Sequence, residues 1–207
     1  MARTDGPLLS LSASGSFADT LTFVKTRRGT NVRAKIHQSS GKTPRQTSQR
    51  SLFGGLSEWW SSPAFYPPSN WSAAPRAGND ADFSAMLKIN LDRWANFTGP
   101  GVSYPVTNTG TAGGATIFST GVDGHRVEVV ALGFTYVDDW YLMLHRSAIN
   151  GFTCDNSTMV VSQQIVDGFF DIMYDKEVPS GTWYYRLMTA TIDGLLSAES
   201  PQAIVVV

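Results

Sequence analysis

One cysteine, Cys154, is all the chain contains. That excludes an intramolecular disulfide framework and a thiolate-rich zinc site. Histidine is nearly as scarce, with His37, His125 and His145 the complete set. Charged residues make up only 16% of the chain, against about 25% in an average soluble domain. A weakly charged, aromatic surface is easier to cover in an assembly than to keep dispersed in water. No run approaches the roughly 18 consecutive apolar residues of a membrane-spanning helix, so no membrane partner is expected. The N-terminus reads without an apolar signal segment either, since Arg3 and Asp5 are followed by Gly6-Pro7. The expectation is synthesis and folding in a cytoplasm.

What is present is aromatic, turn-rich and unevenly charged. The 207 residues suffice for one large domain or two small ones, and 42% are hydrophobic. Eleven Phe, seven Tyr, six Trp, 19 Gly and ten Pro suggest β structure rich in turns. The net charge of −1 conceals a split. Residues 1–50 hold nine basic and two acidic groups, a net of +7, and the remainder has a net of −8. Such polarity suggests different partners for the two ends.

Hydrophobic period divides the chain into an α+β arrangement. Phe17–Val24 and Gly29–His37 read as strands of a basic hairpin with its tip at Thr26–Gly29. Thr43 is placed to cap a helix that has Pro44 in its first position. Leu52, Phe53, Leu56, Trp59 and Trp60 then recur on one helical face. Gly54-Gly55 weakens that helix unless a close contact requires it. Arg45 and Arg50 stand in its first turns, where the helix dipole disfavours cations, so an external role is expected. Pro63, Pro67 and Pro68 frame a stiff loop carrying Phe65 and Tyr66. A second helix from about Ala81 carries Phe83, Met86, Leu87, Leu91 and Trp94. Six β segments follow, near Arg126–Tyr136, Trp140–Arg146, Met159–Gln164, Gly168–Tyr174, Trp183–Ile192 and Ala203–Val207. The expected domains are 1–107, a basic hairpin-plus-helices docking domain; 108–115, a Gly-rich linker; and 116–207, a β-sandwich.

Catalytic and metal chemistry finds little support. No Gly-x-Ser-x-Gly elbow accompanies the three histidines, which read as structural or surface residues. Asp138-Asp139 and Asp171/Asp175 lack a calcium-loop pattern, and the acids before the strand at Trp140 read as turn acids. Gly110–Gly114 has neither the Lys nor the strand–helix setting of a phosphate loop. No paired carboxylates, cofactor site or metal site is recognisable, and a non-enzymatic protein is expected. The partner-binding candidates are Arg27, Arg28, Arg33, Lys35, Arg45, Phe65 and Tyr66. The basic groups suit phosphate neutralisation as well as an acidic protein neighbour. Protein contact is favoured over nucleic acid, because Trp, Tyr and Arg are the usual anchors of protein interfaces.

Two resemblances add to this. The run Gly181-Thr182-Trp183-Tyr184-Tyr185-Arg186-Leu187, the Asp193-Gly194 turn and the return strand Ala203–Val207 resemble the last two strands of a fibronectin type III domain. The resemblance covers roughly the last 90 residues. It implies an immunoglobulin/fibronectin III-like β-sandwich, with a tyrosine near the start of the strand bonding back to nearby backbone. The second pattern is Gly15…Phe17, Val32-Arg33, Thr43…Thr47…Gln49-Arg50…Phe53, Trp59, Trp71, Phe83 and Asn90. It resembles a widespread uncharacterised domain of phage and prophage structural proteins, over residues 10–95. Together they imply a structural component of a tailed-phage virion, with capsid decoration or a minor capsid protein preferred to a neck or tail position. The implied partners are capsid, neck or tail subunits and further copies of the chain within the particle. A glycan-binding or hydrolytic virion protein is the alternative from another class.

Overall fold

A capping box starts the first helix. Thr43 Oγ1 accepts from the Gln46 N–H at 3.3 Å, and Gln46 Oε1 accepts from the Thr43 N–H at 3.1 Å. This satisfies two N–H groups that a helix start would leave bare. The computed structural model describes residues 3–4, 15–17, 21–26, 29–34, 43–63, 66–75, 81–133, 139–166 and 170–207, with side chains from residue 43 onward. Two compact units divide after Gly41.

Unit 1, Met1–Gly41, contains four strands. They are β1 (Arg3–Thr4), β2 (Gly15–Phe17), β3 (Leu21–Thr26) and β4 (Gly29–Ala34), in the order β1-β4-β3-β2. β3 and β4 form the expected hairpin, closing at the Thr26↔Gly29 pair.

Unit 2, Lys42–Val207, holds α1 (Pro44–Ser61), a 3₁₀ turn (Trp71–Ala73) and α2 (Asp82–Ala95). Seven strands follow: β5 (Thr116–Asp123), β6 (Arg126–Leu132), β7 (Asp139–Ser147), β8 (Met159–Gln164), β9 (Phe170–Asp175), β10 (Thr182–Thr191) and β11 (Ala203–Val206). They make two antiparallel sheets, β11-β10-β7-β8 and β5-β6-β9. The class is α+β. The segment 108–115, expected as an interdomain linker, lies inside unit 2, and helices and sheets share a core across it.

The central strand β7 is buried over seven of its nine residues, which is why Trp140–Leu144 reads as a continuous apolar run. Leu142 and Leu144 join Val127, Val129, Met173, Tyr185 and Leu187 in a core between the two sheets. Tyr141 and Met143 join Leu52, Leu56, Trp59, Met86 and Trp94 in a second core under the helices. A bulge makes room for one more aromatic. Ala190 pairs with Tyr141 but Thr191 pairs with Asp139, leaving Trp140 as the extra residue. Trp140 thereby joins Tyr141 in the helix-side core. Its ring lies 4.7 Å from that of Trp59 and 4.8 Å from that of Tyr141.

Each buried indole N–H finds an acceptor. Trp59 donates to Tyr66 O at 2.7 Å, Trp71 to Val102 O at 2.7 Å, Trp94 to Ser48 Oγ at 2.7 Å and Trp140 to Pro100 O at 3.0 Å. An unpaired buried donor would cost about 1–3 kcal/mol, so these bonds tie α1 to the loop after it and to α2, and hold the stretch after α2 against the 3₁₀ turn at Trp71 and against Trp140. Asn90 clamps Gly101 in both directions, accepting from its N–H at 2.9 Å and donating to its carbonyl at 3.2 Å.

Candidate docking surface

Helix α1 divides into a used face and a bare one. Ser48, Leu52, Gly55, Leu56 and Trp59 are buried. On the other side Arg45, Gln49, Arg50 and Phe53 are exposed. Phe53 remains 49% exposed, far more than its place in the apolar periodicity suggests. With Gln46 and the α2 residue Leu91, this face lines an open hollow of about 290 Å³. The first turn of α1 has no acidic residue, and neither arginine forms an ion pair among the described residues. Two cations near the positive end of a helix dipole raise the local potential together. The face thus combines cationic forks, amides and one exposed ring, a set suited to a carboxylate-bearing protein surface.

The sequence candidates are dispersed. Arg27, Arg28, Lys35, Phe65 and His37 lie outside the described residues, as does Asp138. Arg33 stands in β4 opposite Thr22. Arg45 is exposed in α1. Tyr66 is half-buried, and its hydroxyl donates to Asp139 O at 3.3 Å while its carbonyl receives the Trp59 N–H. It braces the loop against β7 as well as showing an edge to solvent. Gln49, Arg50 and Phe53 belong to the phage-like sequence pattern but were not among the partner-binding candidates. Their exposure is the signal, and the periodicity hid it by assigning Phe53 to the buried stripe.

The titratable groups are spent internally. His125 is exposed, with Nδ1 2.9 Å from Val178 O. His145 is buried beside Trp94 and Phe97, its Nδ1 2.9 Å from Thr158 Oγ1. Burial pulls it down to about 3, against the opposing charge of Asp155. Burial also raises the Cys154 thiol, and Glu199 adds to that, which leaves it an inert core group. Asp139 is a buried strand residue rather than a turn acid, accepting from Gly113 N at 3.2 Å, and Asp171 is buried in β9, accepting from Val166 N at 3.2 Å. Asp175 is buried, with Arg146 at 2.6 Å and the Tyr185 hydroxyl at 3.0 Å. Burial pushes its carboxyl up, while Arg146 and Tyr185 pull it down. The Tyr185 hydroxyl therefore bonds back to a carboxylate ten positions upstream, where the resemblance implied backbone.

Among the described residues no cluster of three or more His, Cys, Asp or Glu is arranged to hold a metal ion. Two larger open clefts, of about 320 and 400 Å³, lie at Glu58, Gln163 and Gln164, and at Arg146, Ser157 and Trp183. Neither includes a histidine. No described helix is long and apolar enough to cross a membrane.

No family model matches the chain, and no curated protein matches it. Among solved structures, a multi-modular cell-surface chitinase, ChiW from Paenibacillus sp. str. FPU-7, aligns at 14% identity with a TM-score of 0.29. The alignment covers 48% of this chain and 8% of the chitinase. A likeness that slight carries no argument about fold or activity.

Proposed function

We propose that the chain is a non-enzymatic structural protein of a tailed-phage particle, with capsid decoration preferred to a neck or tail position. The observation that carries the reading is the division of its phage-like sequence pattern into two sets. Thr43, Trp59, Trp71 and Asn90 cap or fill unit 2. Gln49, Arg50 and Phe53 stand exposed on one helix face, outside the buried stripe of α1. Exposed arginine and aromatic side chains on one face are favoured anchors of protein recognition. In this reading the basic N-terminal part and the α1 face dock onto acidic neighbouring virion subunits, and the strands after residue 115 form a displayed module.

We also assign that module to the fibronectin III-like sandwiches. The first, second and fifth of its strands form one sheet, and the third, fourth, sixth and seventh form the other. In an immunoglobulin constant-type domain the fourth strand pairs on the first sheet. Here it pairs with the third, the switched arrangement that a fibronectin-like module requires. Tyr185 supplies a corner bond near the start of the sixth strand.

The test is the purified particle. The protein is expected there in many symmetry-related copies, and Arg50→Glu with Phe53→Ser should lower its incorporation at least several-fold while the circular dichroism of the isolated protein stays unchanged. A chain that is absent from particles overturns the virion reading. Normal incorporation of the double variant removes the α1 face from it.

A further inference from the structure

Four strands stand at the edges of the two sheets of unit 2, and three of them are guarded. An edge strand offers unpaired N–H and C=O groups to any other strand, so proteins keep edges short, cover them or set inward-pointing charges on them. β11 is only four residues long. β8 is packed by α1, where Gly55 comes so near that a Cβ would stand 2.9 Å from the Ser162 carbonyl oxygen. β9 carries Asp171 and Asp175, buried acids opposite Ala131 and Val127 of β6. β5 has none of these protections. It is eight residues long, pairs with β6 alone among the described strands, and holds no Lys, Arg or Pro. Its one charge is Asp123, at its end.

The side chains of β5 are those of an unfinished sheet. Ile117, Thr120 and Val122 pair with Ala131, Val129 and Val127, all three fully buried on the inner face. Val122 is nonetheless 48% exposed, since β5 has no neighbour on its other side. Phe118 is the extra residue of a bulge, skipped between the Ile117↔Ala131 and Ser119↔Val130 pairs, and is 71% exposed. Gly121 has no internal reason to be glycine. Its φ is not positive, and a Cβ there would meet only the Glu128 Cβ, at 3.8 Å. A glycine inside a strand weakens it and often marks a place where another group comes close.

We propose that β5 pairs with β5 of a second copy, antiparallel about a two-fold axis at Thr120, and so joins two three-stranded sheets into one of six strands. With Phe118-Ser119 counted as one position, as β6 counts them, the strand is complementary to itself. Thr120 meets the partner's Thr120, Val122 meets the partner's Ile117, and Asp123 meets the partner's Thr116. Phe118 falls over the partner's Gly121, where the missing side chain leaves room for the ring, an arrangement known to rescue glycines in sheets. The Thr120 and Ile117–Val122 pairs lie on the inner face and continue the row of Val127 and Val129 across the axis. Threonine pairs and β-branched apolar pairs stabilise neighbouring strands, and no like charges stand opposite each other. This match under reversal selects a second copy over an unrelated strand. The two-fold axis closes the contact at two copies. The inference goes beyond a virion role and does not require one.

Two charge variants of the full chain test it. Thr120 is exposed, so Thr120→Lys and Thr120→Glu should fold, and circular dichroism checks both. Across the axis each variant sets a like charge directly opposite itself. By sedimentation across a concentration series, the wild-type chain should pass from monomer to dimer, and each variant alone should stay monomeric over the same range. An equimolar mixture of the two should recover a one-to-one dimer that weakens as salt rises. Thr120→Cys reads the register independently. Directly opposed Cα atoms in an antiparallel pair lie about 4.5–5.5 Å apart, within disulfide reach. Mild oxidation should then give a covalent dimer, whereas the wild-type chain, whose Cys154 is buried, should give none. A wild-type chain that is monomeric at every concentration overturns the proposal. So do folded charge variants that dimerise like the wild type, a folded mixture that fails to pair, and a Thr120→Cys chain that does not cross-link. If a charge variant misfolds, the cross-link decides alone.

Discussion

His145 is a buried base surrounded by groups that keep it neutral. Thr158 Oγ1 donates its one proton to the Asp155 carbonyl at 3.1 Å, so toward His145 it acts as acceptor. That places the imidazole proton on Nδ1 and leaves Nε2 as a lone pair without a hydrogen-bond partner, in a setting lined by Trp94 and Phe97. In the unfolded chain the group titrates near its ordinary 6.5, and in the folded chain near about 3. Between those values the unfolded state binds more protons, so stability falls as pH drops from 6.5, and the loss is complete below 3. The loss is bounded by about 5 kcal/mol. Asp175 acts in the opposite sense. Its folded carboxyl lies above the ordinary 3.8, so it binds extra protons when folded and adds stability as pH falls through that window. In urea unfolding between neutral pH and about 4, the wild-type midpoint should fall, and His145→Gln should flatten the slope. An unchanged slope in that variant would show that His145 is not the group responsible. None of this was legible in the sequence, where His145 next to Arg146 gives no sign of the helix above it.

Helix α1 shows how far sequence reasoning reaches at the scale of an element. The cap at Thr43, the proline start and the buried stripe were readable, because each depends on neighbours within one turn. The reason for Gly54-Gly55 was not. A Cβ on Gly55 would collide with the Tyr141 hydroxyl and stand 2.9 Å from the Ser162 carbonyl oxygen, whereas a Cβ on Gly54 meets nothing within 4 Å. The close approach is to β7 and β8 and not to another helix. Gly54→Ala should therefore raise stability by about 0.5–1 kcal/mol through helix propensity. Gly55→Ala should lower it by about 1–3 kcal/mol through overpacking, and denaturant midpoints of the two variants should move in opposite directions. β5 escaped notice because Thr116–Asp123 is almost wholly exposed and lacks alternation. The stretch after the Gly194 turn escaped for another reason. It runs beside β10, but Ser197 and Ser200 hydroxyls accept from Thr189 N at 2.9 Å and Leu187 N at 2.8 Å in place of carbonyls. Serines in that stretch read as loop, whereas the return strand itself begins at Ala203 as expected.

At the scale of the whole molecule, the charge split was legible and the point of division was not. The change of hydrophobic period marked residues 108–115, yet long-range side chains tie the segments before and after it. Trp140 donates to Pro100 O, Asn156 Nδ2 donates to Ala95 O at 2.7 Å, and Arg93 donates to Gly194 O at 3.2 Å. Such pairings join residues that are far apart in sequence, and no local pattern announces them. Among the residues whose side chains are described, both hydrophobic cores draw on unit 2, with Leu52 the first buried apolar residue and Val205 the last. A chain of residues 42–207 therefore contains every described group that its own cores require. It should fold alone and melt cooperatively, with a Tm within about 2–4 °C of the intact protein at low concentration, a shift of roughly 1 kcal/mol for a domain of this size. On the proposed virion role it should also lose entry into the particle, because the +4 unit would be gone while α1 keeps only part of the basic surface. Scanning calorimetry of the fragment and its recovery from particles measure the two effects separately. A fragment that unfolds gradually or aggregates would mean that residues 1–41 complete the fold of unit 2. A fragment that folds and still incorporates normally would shift the whole docking role onto α1.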